Sequence, residues 1–410
     1  MSTNSTSTAT TLRGIGRQLG DSAALGRAVD ELLGTRSESP VLFGLGEPTH
    51  GIEAFPLLRN EILRHLVDRG YRSIAVETDI FAASVVDDYV HGGTGDIDTV
   101  LATGFSHRFG EVPGNRELVE WLRAHNAELP QRDRVRFHGF DAPLEFAAAP
   151  SPRRALFAVH DRLPAALRPE SARDLDTLLG EEAEWTNEEA MYDPAVSIGD
   201  SDRARALRIA ADDLAGALRR AAPTLRPLDQ AGYDLTAAYA RTALGLLRYH
   251  AAMASPASDR IGRLLAVRAE MMADNLLALV EQERRHGPTL VFAHNVHLQR
   301  AQSGMPVGAD EVSWGSAGAL VGLALGERYV FVATDARPQA EPDTFQGMLA
   351  EATTRRALFP AAELLAALPP SIRTGEPIVR GHIPLAPADV TGADAILFVA
   401  DTDGKQHRYW

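Results

Sequence analysis

The chain reads VLFGLGEPTHG over residues 41–51, and Arg59 follows eight positions after the last glycine. Residues 41–45 have the length and the apolar character of a buried strand. This strand leads into a carboxylate and an imidazole, Glu47 and His50, which are set between glycines and followed by a cation. Because open α/β sheets bind ligands at the carboxyl ends of their strands, this stretch predicts both a sheet and an active site.

Further short apolar runs, most of them bounded by Gly, Asp or Pro, alternate with long helical patterns. Together with the first run they cover residues 41–45, 73–76, 135–140, 289–293, 329–333 and 395–400. The spacing of Leu58, Ile62 and Leu66 predicts a helix over residues 55–69, which Gly70 ends. Strands that alternate with helices are typical of parallel sheets with helical crossovers. The sequence therefore predicts an α/β fold with a mainly parallel central sheet flanked by helices.

Residues 150–287 depart from this pattern, since they are rich in Ala, Leu and Arg with helical periodicity. We interpret them as a large helical insertion that forms a lobe for the substrate. Tyr239 in this insertion is a candidate substrate contact, although aromatic residues at helical spacing more often belong to a core. The predicted organisation is a disordered tail at 1–12, the first part of the α/β core with the Glu/His site at 13–149, the insertion, and the second part of the core at 288–410.

Composition and charge exclude several classes of function. The 41 basic and 55 acidic residues give a formal net charge of −14, and such a field repels nucleic acids and anionic membrane surfaces. The sequence has no cysteine, which excludes disulfides, thiolate metal ligands and a cysteine nucleophile. The N-terminus does not resemble a secretory signal, and no run approaches the ~20 apolar residues of a membrane helix. We expect a cytoplasmic protein that acts on a small molecule, with an oligomeric state that the sequence leaves open.

Four of the predicted strands end in ionisable residues. These are Glu47 and His50 after the first strand, Glu77 and Asp79 at the second, Asp141 after the third, and His294 and His297 after the fourth. The carboxyl ends of parallel strands share one edge of a sheet, so we expect these groups to lie within reach of one another. A single histidine in such a place is more often structural, and it is the coincidence of four such ends that favours a site.

This set of residues suits general base catalysis, because a carboxylate beside an imidazole fixes its tautomer and raises its basicity. We predict His50 as the base that takes a proton from water, with Glu47 or Glu77 holding its ring. Arg59, or a second imidazole from His294, is expected to stabilise an oxyanion. The expected chemistry is hydrolysis or another acyl transfer.

The remaining candidates are substrate contacts, and a metal site is the alternative for two of the histidines. Asp79, Asp141 and His297 are the predicted contacts beside Tyr239. His294 and His297 have an i, i+3 spacing that can serve a divalent metal, but this spacing alone is weak support, and we predict neither a metal nor another cofactor. The sequence has no Gly-x-Ser-x-Gly elbow and no phosphate-binding Gly-rich loop, so neither a serine nucleophile nor nucleotide binding is expected.

The assembled motifs resemble those of the erythromycin esterase family, which is also described as related to succinoglycan biosynthesis. They span residues ~40 to 300 in the family's order and are 46–51 (GEPTHG), Arg59, 75–79 (AVETD), 139–141 (GFD), 268–275 and 293–297 (AHNVH). Departures are Pro48, where the family often has Ala or Ser, the segment after His297, and the part from Thr334 onward.

The resemblance implies an α/β core with a large helical lobe. It also implies an enzyme that opens a macrolide lactone by attack of water, without a serine nucleophile. His50 is then the general base, and the residues around it are Glu47, Arg59, Glu77, His294 and His297.

Other functions remain open at this point, and so does the choice between antibiotic resistance and natural product biosynthesis. In a pathway enzyme, the same base would remove a proton from an internal hydroxyl or amine, giving cyclisation, isomerisation or acyl transfer without net hydrolysis. A ligand-binding protein without turnover is the third alternative, but it gives no reason for assembling the four strand ends.

Overall fold

The computed structural model describes residues 11–145, 149–308, 310–337 and 341–406. The tail predicted at residues 1–12 lies outside the described residues as far as residue 10, whereas Leu12 is fully buried. The strands are β1 (Arg17–Gln18), β2 (Leu42–Glu47), β3 (Ser73–Asp79), β4 (Arg136–Asp141), β5 (Thr289–His294), β6 (Gln302–Val307), β7 (Asp310–Gly315), β8 (Tyr329–Ala336), β9 (Arg356–Pro360) and β10 (Ala395–Val399).

Helices account for much of the remaining chain. They include α1 (Ser22–Gly34), α2 (Ala54–Val67), α3 (Ala83–Val90), α4 (Ile97–Gly104), α5 (Pro113–Ala127), α6 (Arg153–Arg162), α7 (Leu175–Leu179), α8 (Glu182–Trp185), α9 (Asp202–Leu228), α10 (Gln230–Met253), α11 (Arg260–Glu283), α12 (Asn295–Leu298), α13 (Ala317–Leu325), α14 (Phe345–Ala352) and α15 (Ala361–Ala367). None of the helices in the described part of the chain has the length and apolar character needed to cross a membrane.

One large sheet organises the fold. Its strand order is β1-β9-β10-β8-β2-β5-β3-β4, while β6 and β7 form a separate antiparallel pair. The run β10-β8-β2-β5-β3 is parallel throughout, whereas β9 is antiparallel to both β10 and β1. The predicted α/β fold with a mainly parallel central sheet is confirmed, and each of the six predicted strands is present.

The register of this sheet determines which strand ends lie side by side. Strand β5 lies between β2 and β3, with Glu47 of β2 opposite His294 of β5. On its other side, Val76 of β3 is opposite Phe292 of β5, one residue before Glu77. Because all three strands are parallel, segments that are far apart in sequence end at the same edge.

Burial explains why these segments form strands and helices. Every residue of β2, β5 and β8 is buried, which matches the continuous apolar runs of a parallel sheet covered on both faces. In α2 the predicted stripe of Leu58, Ile62 and Leu66 is buried, and each such side chain contributes about 1.5–3 kcal/mol. The helix ends at Val67, and Gly70 has a left-handed φ of 90°, which favours glycine.

The described chain divides into two compact units. One comprises the described residues up to Phe140 and from Leu279 onward, and the other runs from Asp141 to Ala278. The second unit has its own apolar core, which includes Leu156, Trp185 and Leu207. The insertion predicted at 150–287 overlaps this unit, and its role as a substrate lobe stays a prediction.

Candidate active site

His50 is held by the carboxylate that precedes it by three residues. Its Nδ1 lies 2.7 Å from Glu47 Oε1, and the turn after β2 brings the two side chains together. Glu47 is buried and His50 is partly buried. An ionised carboxylate only accepts hydrogen bonds, so Nδ1–H donates and Nε2 carries the lone pair. Burial raises the pKa of Glu47, while the hydrogen bond and the charge of His50 oppose that rise.

A second carboxylate, Glu77, lies on the other side of the His50 ring. Its Oε1 is 3.8 Å from His50 Nε2 and 3.2 Å from His297 Nε2. Its Oε2 accepts a hydrogen bond of 2.8 Å from the backbone N–H of His294. These contacts fix a carboxylate that is buried at the end of an apolar strand, where an unpaired charge would be costly. His50 therefore has one carboxylate at each ring nitrogen.

His294 connects two loops of the site. Its Nε2 lies 2.9 Å from the carbonyl oxygen of Pro48, and its Nδ1 accepts from the backbone N–H of Val296 at 3.3 Å. Burial first, and then electrostatic repulsion from His50 and His297 when these rings are protonated, lowers the pKa of His294 to about 3. The ring is therefore neutral near pH 7, with both nitrogens engaged by backbone groups. The predicted oxyanion role of His294 stays a prediction.

Arg59 lies beside Glu47 and His50 and is almost completely buried. Its Nε and Nη2 donate to Asn60 Oδ1 at 3.0 and 2.7 Å, Nη2 also donates to the carbonyl oxygen of Gly114 at 2.9 Å, and Nη1 donates to Asn115 Oδ1 at 2.7 Å. Burial lowers the pKa of Arg59 to about 10, and the charge of Glu47 opposes this. The side chain of Arg59 is thus held by neighbours inside the protein. Its predicted oxyanion role stays a prediction.

The segment between α4 and α5 supplies groups that the sequence does not reveal. The Phe109 ring lies 4.6 Å from the His50 ring, and His107 stacks on Phe109 at 5.5 Å. His107 and Arg108 have left-handed φ values of 56° and 59°, which are costly for residues other than glycine. Asn115 donates to the Phe109 carbonyl oxygen at 2.8 Å and thereby ties this segment to Arg59. No motif in the sequence marks these residues, because their contacts come from tertiary packing.

A glycine is required at the strand end that carries Glu47. A Cβ atom at Gly46 would lie 2.1 Å from Asn295 Oδ1. Asn295 exchanges hydrogen bonds with the backbone of Thr334, whose hydroxyl in turn donates to the Gly46 carbonyl oxygen at 2.7 Å. This close approach of β2, β8 and α12 fixes the backbone from which Glu47 and His50 extend.

The other predicted substrate contacts have partners of their own. Asp79 accepts from the backbone N–H of Phe81 at 2.6 Å, at the turn that leads into α3. The fully buried Asp141 pairs with Arg268 Nε and Nη2 at 3.0 and 2.5 Å. The Tyr239 hydroxyl accepts from Arg154 at 3.0 Å within the second unit. Their roles toward a substrate stay predictions.

Metal ligation was the alternative for this histidine-rich edge. Among the described residues, no group of three or more His, Cys, Asp or Glu side chains is arranged to hold a metal ion. His297 Nε2 instead contacts Glu77, while its Nδ1 is buried without a hydrogen-bond partner among the described residues. The expected independence from metal stays a prediction.

The fold and the site define a class of α/β protein whose parallel strands present an imidazole between two carboxylates. The model of the erythromycin esterase family matches residues 66–360, well over half of the 410 residues, and the chain belongs to this family. Membership indicates a hydrolase-type function. The matched stretch contains Glu77, His294 and His297 and begins after His50.

Solved structures share the fold at low sequence identity. A Bacillus cereus protein has a TM-score of 0.70 at 15% identity, covering 96% of this chain and 97% of its own. A succinoglycan biosynthesis protein has a TM-score of 0.63 at 17% identity, with 97% of both chains covered. A mutant of the erythromycin esterase EreC in its open conformation has a TM-score of 0.66 at 18% identity, covering 90% of this chain and 93% of its own. No curated protein matches the chain.

Proposed function

We propose that this chain is a hydrolase that opens a carboxylic ester or lactone with water, and that His50 is its general base. The observation that carries the proposal is the geometry of one ring: His50 Nδ1 lies 2.7 Å from Glu47, and Nε2 faces Glu77 at 3.8 Å. The first contact sets the tautomer that leaves the lone pair on Nε2. The second distance is too long for a direct hydrogen bond, and in this proposal the attacking water lies to the side of the two atoms, within hydrogen-bonding distance of both.

The proposed reaction uses these positions. Nε2 takes a proton from water while the water oxygen forms a bond to the carbonyl carbon. Glu47 stabilises the imidazolium that results, and Glu77 orients the attacking water. This attack leaves the carbonyl oxygen as an oxyanion, which re-forms the C=O bond as the carbon–oxygen bond of the ester breaks, and the leaving alkoxide takes the proton from Nε2–H. The products are a carboxylic acid and an alcohol, or one hydroxy acid if the substrate is a lactone.

The proposed substrate is an apolar lactone such as a macrolide. Family membership and the similarity to an erythromycin esterase support this class. Apolar side chains of Phe105, Phe109 and Val112 lie beside the polar groups of the site.

The test is mass spectrometry of the purified protein with macrolides and smaller lactones, in water enriched in oxygen-18. We expect a mass gain of one water, with the heavy oxygen in the new carboxylate, and the same result after treatment with a chelator. His50→Asn should abolish the gain. His65→Asn is the matched control, because His65 also bonds to a carboxylate, Asp30 at 2.9 Å, outside the site.

Three results would redirect the proposal. Near wild-type turnover in His50→Asn would refute this residue as the base. A product of unchanged mass would favour the cyclising or isomerising pathway enzyme, because the same base would then act on an internal nucleophile. Binding without any reaction would favour the ligand-binding alternative.

A further inference from the structure

A small cavity lies beside the proposed base. Its volume is about 20 Å³, and its walls include polar groups of Glu47, Arg59 and Asn115. A cavity needs roughly 10–15 Å³ to hold one water, and that water needs two to four polar partners. The space and its lining therefore have the size and the polarity of a site for a single water.

One wall atom lacks a partner. Glu47 Oε1 accepts from His50, but the other carboxylate oxygen, Oε2, is buried with no hydrogen-bond partner among the described residues. Glu47 as a whole is only 4% exposed. A buried carboxylate oxygen without a donor costs much more free energy than a satisfied one, so such an oxygen calls for an ordered water or an ion.

Arg59 supplies the matching donor. A guanidinium has five N–H groups, and the contacts with Asn60, Gly114 and Asn115 use four of them. The remaining N–H is on Nη1. The other N–H of Nη1 donates to Asn115 Oδ1. Arg59 and Glu47 line the same cavity and have opposite charges, but no direct hydrogen bond joins them within the described residues.

We propose that this cavity binds one ordered water that accepts a hydrogen bond from Arg59 Nη1–H and donates one to Glu47 Oε2. Arg59, oriented by Asn60 and Asn115, is thereby a positioning residue that acts on His50 through the water and Glu47. It holds Glu47 ionised and in place, and Glu47 in turn fixes the His50 tautomer. The positioning role rests on the proposed function, whereas the water site does not.

Three ionisable groups face Glu47, and the pH at which Glu47 titrates therefore reports on this bridge. They are His50 from its own loop, Glu77 from β3 and Arg59 from α2. Glu77 disfavours the charged form of Glu47, while His50 and Arg59 favour it. Removal of the water weakens the contribution of Arg59, and Glu47 should then take up a proton at higher pH.

The experiment fills the cavity and follows Glu47 by NMR. Val76 lines the cavity, so Val76→Ile adds a carbon at its wall. Val100→Ile is the matched control, because both valines are 4% exposed and Val100 belongs to the same apolar core without lining the cavity. Protein labelled with carbon-13 glutamate gives a Cδ signal for each carboxylate, and Glu47→Gln identifies the signal of Glu47.

We expect Val76→Ile to raise the pH at which Glu47 titrates by about one unit, a tenfold change in its acid dissociation constant, as for the loss of one hydrogen bond to a charged group. Val100→Ile should leave that titration as in the unmodified protein. An unchanged titration in folded Val76→Ile refutes the bridge. On any lactone that is turned over, the acidic limb of kcat should move to higher pH in Val76→Ile with KM unchanged, which a merely structural role would not produce.

A high-resolution crystal structure of the unmodified protein keeps the test decisive if Val76→Ile does not fold. Density for one water within hydrogen-bonding distance of both Glu47 Oε2 and Arg59 Nη1 supports the proposal. Absence of that density, or a direct hydrogen bond between the two side chains, overturns it. Because neither NMR titration nor crystallography depends on turnover, a failure of the water site is distinguishable from a failure of the proposed hydrolase.

Discussion

Lowering the pH from 7 to 5 should destabilise this protein through His294. The pKa of this buried ring is about 3 in the folded chain, against about 6.5 in an unfolded chain. The unfolded chain therefore binds the proton first. The neutral, buried ring contributes its full stability above about pH 6.5, and this contribution is lost as the pH falls toward 3.

The size of the effect follows from these two values. Between pH 7 and 5 the unfolded state gains about 2 kcal/mol from protonation of this one residue, while the folded state gains almost nothing. The cause is structural, because the ring is 5% exposed and both of its nitrogens contact backbone groups of Pro48 and Val296. A proton on Nδ1 would remove the hydrogen bond that Nδ1 accepts from Val296 and would place two N–H groups against each other.

Equilibrium urea unfolding at pH 7 and pH 5 measures this loss. The unmodified protein should lose about 2 kcal/mol more than His294→Gln, which has no ring to titrate. The absolute stability of the variant does not matter, since only the difference between the two pH values is compared. His160→Gln is the control, because the His160 ring bonds to exposed Asp161 in the second unit. Equal losses in the unmodified protein and His294→Gln, or an NMR titration of His294 between pH 5 and 8, would refute the assignment of a neutral ring.

Two further substitutions test the site and the second unit. Glu47→Gln should lower kcat by about 10²–10⁴-fold with little change in KM, since the ring of His50 loses the partner that selects its tautomer; steady-state kinetics with an unchanged kcat would remove Glu47 from the mechanism. Asp141→Asn should cost about 3 kcal/mol of unfolding free energy, because it leaves the charge of Arg268 without its buried partner. Asp176→Asn, at a pair that is largely exposed on its acidic side, should cost under about 1 kcal/mol in the same denaturation assay, and equal costs would contradict the argument from burial.

The strands that the sequence predicts are those with continuous apolar runs. Strands β2, β5 and β8 are buried throughout, so their composition alone identifies them. Apolar runs do not mark β1 and β9, because β1 has two residues and β9 is a five-residue segment that ends in Pro360. Both depend on antiparallel pairing at the sheet edge, and such pairing has no local pattern in the sequence.

The site was predictable to the extent that it follows from strand ends. Glu47, Glu77 and His294 meet because parallel register aligns β2, β5 and β3, and the sequence already shows which residues end those strands. It does not show that Phe109 covers the base or that Asn115 holds Arg59. Phe109 lies between α4 and α5 and Asn115 lies in the first turn of α5, and the positions of both depend on tertiary packing rather than on periodicity.

The charges around His50 support its proposed role as the base. Glu47 and Glu77 carry two negative charges when ionised, Arg59 supplies one positive charge, and the low pKa of His294 keeps that ring neutral. In the proposed reaction, a proton on His50 would lie between these two carboxylates and be attracted to both. The imidazolium of the proposed reaction would be stabilised by carboxylates that are already in place, so little reorganisation would be required. An additional positive charge on His294 would oppose the proposed step, so the neutral, buried ring of His294 supports the proposed role of His50.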